Sequence, residues 1–274
     1  KVFVALKPKN SDYLSETEKA SVVSSLKGLN MLTVRPTIVD PEIIKILVST
    51  TFKYNANATE LSKGELESVV VNAINTFDSE NLKNFDSIFR HSNLVRAIDD
   101  SNSAILSNIT NIRLKKSHKV FTDTARGVTI EFGNGLYNPH PGHNASAGGV
   151  VSTSGFKVSG DSVNLQFFDD DGNGNLRRYT LSGSTRIYQD NTAGTVDYST
   201  GKIVINSIFF TSTDNADNTI NFTVVPNSFD VVAKRGSLID IDQQSISAKG
   251  EIDTIASGES SAGVGYQSTS STSY

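Results

Sequence analysis

The sequence predicts an α+β fold, with an N-terminal mixed α/β sandwich of order β-α-β-α-α-β followed by a mostly antiparallel β domain. In the first half, β-branched runs alternate with apolar residues at helical spacing. From Lys119 onward, short alternating runs are separated by Gly, Asn, Asp and Ser, which is typical of strands joined by tight turns. A chain of 274 residues can hold two ordinary domains. We therefore predict one domain over 1–117, a second over 118–256, and a Ser/Thr/Gly-rich tail over 257–274.

The chain begins with a predicted strand and helix. Residues 2–6 are β-prone and end at a turn sequence. Ser15 and Glu18 have the spacing of a capping box, and apolar residues then recur at helical intervals until Gly28. Residues 32–35 then precede Pro36, ahead of a long strand.

A long strand and two helices follow. Residues 43–54 form a β-branched run, and Ser62 with Glu65 repeats the capping-box spacing ahead of a clear apolar stripe. A shorter stripe over 88–98 predicts a third helix, and an alternating run over 105–114 predicts the closing strand. Alternate residues of the long strand should share one face: Ile44, Ile46, Val48 and Thr50.

The second half carries almost no helical periodicity. Its strands are predicted over 127–132, 163–168, 177–181, 202–210 and 219–225. The tail over 257–274 has too few apolar residues to offset its ordering entropy, so we expect it to be mobile in isolation.

Composition excludes several classes of function. The absence of cysteine excludes disulfides, thiolate metal sites and cysteine nucleophiles, and only four histidines remain as general bases. A net charge of −4 argues against nucleic acid as a partner, and no apolar run is long enough to predict a membrane span. No known catalytic motif is present, so we expect no enzyme activity and no cofactor.

A run of three aspartates gives the sharpest local signal. Asp169, Asp171 and Asn173 have the alternate spacing of oxygen ligands in a calcium loop. The twelfth position of that template is Thr180 rather than Glu, and the flanks resemble strands. Asp-Gly and Asn-Gly are also the preferred residues of tight hairpins. A plain turn is favoured, and calcium is the alternative.

His140 and His143 lie in a Gly/Pro-rich loop. They lack the i, i+4 spacing of a helical zinc pair, and no acidic ligand is close in sequence. A surface loop is therefore favoured over a metal site.

Two stretches resemble a known family. The first runs from residue 16 to 117, and the second is the hairpin sequence from Gly194 to Ile205, in which Tyr198 belongs to the first strand and Thr200-Gly201 forms the turn. The first stretch resembles the baseplate J-type proteins of contractile phage tails. Its segments are Leu32-Thr33-Val34-Arg35-Pro36, Val39-Asp40-Pro41, the long strand, the helix over 65–77, the segment 86–98 and Ile109-Thr110-Asn111-Ile112-Arg113-Leu114. Together with the second stretch, it is similar to the C-terminal part of the baseplate wedge subunit of T4-like phages.

The resemblance implies a structural role rather than a chemical one. It implies a late virion protein, assembled in the host cytoplasm, that forms homodimers, contacts other wedge proteins and joins neighbouring wedges into a ring around the central hub. That ring would rearrange when the sheath contracts. We expect sheet edges and exposed loops to make the contacts, with His140, His143, Asp170 and Asn175 as interface candidates.

A second hypothesis comes from the β-rich half alone. A calcium-dependent or carbohydrate-binding β-module of a surface adhesin would also explain the aspartate run. Its weakness is that the chain has no Trp, so sugar stacking would rest on Tyr and Phe.

Overall fold

The computed structural model describes residues 2–8, 13–27, 36–143, 149–234 and 236–258, and within these ranges it is an α+β protein that is mostly β. Its three helices are α1 Glu16–Lys27, α2 Lys63–Asn81 and α3 His91–Asp99. Its strands in the first half are β1 Val2–Ala5, β2 Pro36–Val39, β3 Glu42–Tyr54, β4 Ile88–Phe89 and β5 Ile105–Lys119. The later strands are β6 Arg126–Glu131, β7 Val151–Thr153, β8 Phe156–Val158, β9 Asp161–Asp170, β10 Asn175–Ser182, β11 Thr185–Asp197, β12 Lys202–Ile208, β13 Phe210–Thr213, β14 Thr219–Val224, β15 Val231–Val232, β16 Ser237–Ile241 and β17 Ser247–Ile252.

The N-terminal segment folds as a small β-α-β unit. β1 and β2 pair in parallel as a two-stranded sheet, with α1 between them in the chain. The predicted capping box is present, because Ser15 N donates to Glu18 Oε2 at 2.8 Å and Glu18 N donates back to Ser15 Oγ at 3.3 Å. Of the strand segment 32–36 in the family resemblance, residues 32–35 lie outside the described residues, and Pro36 begins β2.

Strand β3 is the second strand in the order of the large sheet, between β16 and β5, and its core face is the predicted one. Ile44, Ile46, Val48 and Thr50 are all buried. The capping box of α2 is also confirmed, and Leu66, Val70, Ile74 and Phe77 pack their stripe into the core. The third helix is shorter than predicted: Ile88 belongs to β4, and α3 begins at His91 because Arg90 is still extended.

Strands from the end of the chain complete the sheet of the first half. β16 and β17 pair in parallel with β3, while β5 pairs with β3 on the other side. β5 itself continues to Lys119, where it pairs with β14. The sheet thus crosses the boundary that we predicted between residues 117 and 118, and the domain limits stay a prediction.

The last turn of α2 is tied to β16 by a buried carboxylate. Asp78 is fully buried, its Oδ1 accepts from Ile241 N at 3.0 Å, and its Oδ2 lies 2.8 Å from Lys83 Nζ. Lys83 Nζ also lies 3.3 Å from Asp240 Oδ1. Burial and the neighbouring Asp78 charge raise the pKa of Asp240. Lys83 therefore pairs with two carboxylates where α2 meets β16.

The beginning of the predicted tail is packed. Ser257 is buried, its Oγ accepts from Ala56 N at 3.3 Å, and its carbonyl accepts from Asn57 Nδ2 at 2.9 Å. Ser257 is thus held against the first half of the chain, and the mobility expected of the tail stays a prediction. Residues 259–274 lie outside the described residues.

The second half is mostly antiparallel, as predicted: the described pairs among β6–β14 are all antiparallel, whereas β16 and β17 pair in parallel with β3. Strands β9, β10, β11, β12 and β6 follow one another as neighbours. After β6, Leu136 bridges Pro226, and Tyr137 N donates to Val225 O at 3.0 Å. These contacts bring the edge of the sheet back to the chain that follows β14. The predicted run over 202–210 divides into β12 and β13.

An ion pair joins β5 to the chain after β16. Lys115 Nζ pairs with Asp242 Oδ2, and Ser245 Oγ donates to the same oxygen at 2.9 Å. Burial alone would raise the pKa of Asp242, but the hydrogen bonds from Lys115 and Ser245 outweigh it and hold the pKa below its usual value. Asp242 therefore stabilises the fold while it is ionised.

We expect Asp242→Asn to lower the free energy of unfolding by about 1–3 kcal/mol at pH 7, because it removes a charged hydrogen-bond acceptor. The lowered pKa gives stability that is present above the unfolded value, about 3.9, and is lost as the pH falls through the folded value. The difference from wild type should therefore shrink below about pH 4 in urea titrations. Glu60→Gln, which removes an exposed carboxylate, is the control. A difference that is independent of pH would contradict this role.

Candidate interaction surface

Two predicted interface loops lie side by side. Residues 137–143 and 171–175, which we name the two-loop surface, meet at Gly172. The carbonyl oxygen of Gly172 accepts from Asn138 Nδ2 and from Gly142 N, both at 3.1 Å. His140 and Asn173 are exposed, and His143 and Asn175 are half-buried. The structure therefore brings together two segments that are about 30 residues apart in the chain.

Gly172 makes this contact possible. Its φ is +75°, and a Cβ at this position would lie 2.1 Å from His143 O and 2.6 Å from His143 N. Both atoms belong to the backbone, so the clash cannot be relieved by rotation of a side chain. A glycine is required both by the turn and by the close approach of the other loop.

We expect Gly172→Ala to destabilise the protein by about 1–3 kcal/mol more than Gly160→Ala, because the added methyl group must push the two loops apart. Gly160 is the matched control: its φ is +93°, and a Cβ there would meet nothing within 4 Å. Both variants therefore carry the backbone strain, and only the first carries the clash. The measurement is the free energy of unfolding in urea, and equal losses would contradict the close contact.

The two histidines of this surface face each other. His143 Nδ1 lies 3.2 Å from His140 Nε2, and the ring centroids are 4.8 Å apart at 84°. His140 Nδ1 lies 3.1 Å from Pro141 O. The ring of Tyr137 packs edge-on against His143 at 5.2 Å. None of these three contacts is evident from the sequence, since the loop has no regular periodicity.

Asp171 organises its own turn. Its Oδ1 accepts from the backbone N–H groups of Asn173 at 2.8 Å and Asn175 at 3.0 Å, and its Oδ2 accepts from Asn175 Nδ2 at 2.7 Å. Burial acts to raise the pKa of Asp171, but the hydrogen bonds from Asn175 and Asn173 outweigh burial and hold the pKa below its usual value. Both carboxylate oxygens are occupied by donors of the turn, which favours the turn over the calcium loop.

Asp169 points into a different cluster. It is 1% exposed, its Oδ1 lies 3.0 Å from Arg177 Nε, and its Oδ2 lies 2.7 Å from Arg186 Nη1 and 2.9 Å from Tyr188 Oη. Burial and then the hydrogen bond to Asp169 raise the pKa of Tyr188, so its hydroxyl stays a donor. Within the described residues, no group of three or more His, Asp or Glu side chains could hold a metal ion.

Asp170 lies in the interior. It is completely buried, its Oδ1 accepts from Val151 N at 2.8 Å, and its Oδ2 accepts from Tyr198 Oη at 2.7 Å. Burial and then this carboxylate raise the pKa of Tyr198. Asp170 is therefore removed from the interface candidates. Alternation along β9 turns its side chain inward, where it connects the hairpin of β11 and β12 to β7.

We expect Tyr198→Phe to cost about 1–3 kcal/mol of stability, because it leaves a buried carboxylate oxygen without its donor. Thermal and urea unfolding measure the loss. Tyr137→Phe, at a 41% exposed ring, is the control and should change stability little. Equal effects of the two substitutions would argue against the role of the Tyr198 hydroxyl.

Sequence reasoning did not identify the partners of these aspartates. Arg177, Arg186 and Tyr188 come from neighbouring strands, and Arg177 lies directly opposite Asp169 in the register of β9 and β10. A signal was available for that pair alone, because a hairpin centred on Asn173 places those two residues opposite each other. The contacts of Arg186 and Tyr188 with Asp169 could not be predicted in this way, because they depend on the pairing of β10 with β11, which includes register shifts.

Comparison with known proteins identifies related segments. Residues 1–39 match the family model of baseplate structural protein gp6, C-terminal domain I, and residues 43–117 match that of C-terminal domain III. The first match covers β1, α1 and β2, and the second runs from β3 into β5. The resemblance to the C-terminal part of a baseplate wedge subunit is confirmed. The matching models describe a structural protein.

A curated protein with the gp6 name of these family models is also similar to this chain. The chain is 25% identical over 122 residues to the baseplate wedge protein gp6 of Enterobacteria phage T4. The match covers 44% of this chain and 18% of the relative, so the chain corresponds to a minor part of that protein. No helix in the described part of the chain is long and apolar enough to cross a membrane.

Proposed function

We propose that this chain is a structural part of a phage tail baseplate wedge, located in the virion. The observation that carries the proposal is the match of two successive segments to the gp6 C-terminal domains I and III. Its partners would be a second copy and other wedge proteins. As a late protein assembled in the host cytoplasm, it would join neighbouring wedges into a ring around the hub, and the ring would rearrange on sheath contraction.

The structure supports an assembly role through its surfaces. Exposed apolar side chains are spread over strands of both halves, with Val163 80% and Ile109 71% exposed. Many buried polar side chains, by contrast, serve internal contacts, as Asp78, Asp169 and Asp170 do. Single exposed apolar side chains are usual on protein surfaces, so this distribution is compatible with an assembly role, and the family matches carry the proposal.

The two-loop surface is the contact region that we propose for a second copy. Its backbone is fixed by the bonds at Gly172, while the His140 and Asn173 side chains remain exposed. A surface that is already ordered loses less conformational entropy on association. His140, His143 and Asn175 are retained as interface candidates.

Light scattering on a sizing column, over a range of concentrations, tests this proposal. We expect a concentration-dependent dimer for the wild type and a monomer for His140→Asp/Asn173→Asp, because two added charges would have to be desolvated at the contact. Ser184→Asp, in the exposed turn between β10 and β11, is the control and should still dimerise. A wild type that stays monomeric would contradict dimerisation, and a dimeric double variant would remove this surface from the interface.

A further inference from the structure

We propose that His140 and His143 form a binding site for a divalent transition-metal ion, with Zn²⁺ as the ion that fits best. The inference goes beyond the proposed function and does not depend on it. Imidazole nitrogen is a preferred ligand of zinc, whereas calcium and magnesium prefer oxygen. The site differs from the calcium loop considered for Asp169, Asp171 and Asn173, whose oxygens are engaged by protein donors.

The spacing of the two ring nitrogens matches that of neighbouring zinc ligands. Two nitrogens, each about 2.0–2.1 Å from zinc at a tetrahedral angle, are separated by about 3.3–3.4 Å. His143 Nδ1 and His140 Nε2 are 3.2 Å apart and share a hydrogen bond, which two metal–nitrogen bonds would replace. A small rotation of each ring would aim both lone pairs at an ion beside the line that joins them.

The surroundings of His140 favour the required tautomer. Its Nδ1 lies 3.1 Å from Pro141 O, which can only accept, so Nδ1 carries the proton and Nε2 presents a lone pair. A carbonyl partner on the far ring nitrogen is the arrangement that orients metal-bound histidines. His143 would bind through Nδ1 after its proton moves to Nε2, a change of tautomer without change of charge.

The loop holds the pair in place before any ion binds. Pro139 and Pro141 flank His140 and restrict the backbone on both sides. Gly142 N is bonded to Gly172 O, and the Tyr137 ring packs against His143. The entropy lost on binding should be small because the ligands are already close together.

The pair supplies two ligands, and water would complete the coordination. No group of three or more His, Asp or Glu that could hold a metal is found in the described ranges. A two-histidine site of this kind binds metal without being required for the fold. Removal of either histidine should therefore abolish binding and leave stability in the absence of metal unchanged.

Isothermal titration of the chain with ZnCl₂, in a buffer that does not chelate metal, tests the proposal. We expect binding by the wild type and at least a tenfold loss of affinity in His140→Gln and in His143→Gln. His118→Gln keeps both ligands and is the matched control, which should bind as the wild type does. Unfolding in urea with EDTA checks that all variants are equally stable.

Each outcome of the titration either supports the zinc site or contradicts it. Loss of binding in both single variants, with binding kept in the control, supports the site. Absence of binding in the wild type, or unchanged binding in either single variant, would overturn it. The titration is evaluated at a concentration where light scattering has already defined the oligomeric state, so failure of dimerisation and failure of zinc binding are distinguished.

Discussion

The fold depends on strand β3, which is hydrogen-bonded along both sides. β5 pairs with it antiparallel on one side, and β16 and β17 pair with it in parallel on the other. Its inward residues Ile46 and Phe52 are fully buried. Backbone groups buried in a sheet must be paired, so this strand is satisfied only when segments about 190 residues away have returned to it. The last two strands of the described chain are thereby held in the same sheet as β3 and β5.

This constraint explains which parts of the fold the sequence could predict. The capping boxes at Ser15 and Ser62 and the inward face of β3 depend on residues near one another in the chain, and each was predicted correctly. The parallel pairing of β16 could not be inferred. Its sequence, Ser-Leu-Ile-Asp-Ile, is that of a short buried strand, and all five residues are buried. Nothing local states which strand it will join, because partner choice depends on contacts across the whole core.

The aspartate run shows the same limit at the scale of single side chains. Asp169, Asp170 and Asp171 are consecutive, yet one enters an arginine cluster, one enters the core and one closes a turn. Strand alternation explains the first two, and the end of β9 explains the third. A buried carboxylate needs donors, and these donors come from β7, β10 and β11. The sequence could therefore predict the turn, but only the assembled sheet could show what each carboxylate binds.

The contact at Gly172 links this internal organisation to the surface. Asp171 fixes the turn, the turn gives Gly172 its positive φ, and the absent Cβ lets the histidine loop approach. The loop over 137–143 has no helix or long strand of its own, so its conformation depends on its contacts with the hairpin of β9 and β10. A short Gly/Pro-rich segment can in this way present two imidazoles at a fixed separation. The order of the exposed surface thus follows from the hydrogen bonds of the half-buried Asp171 carboxylate, and a change at Asp171 should disturb the histidines before it disturbs the core.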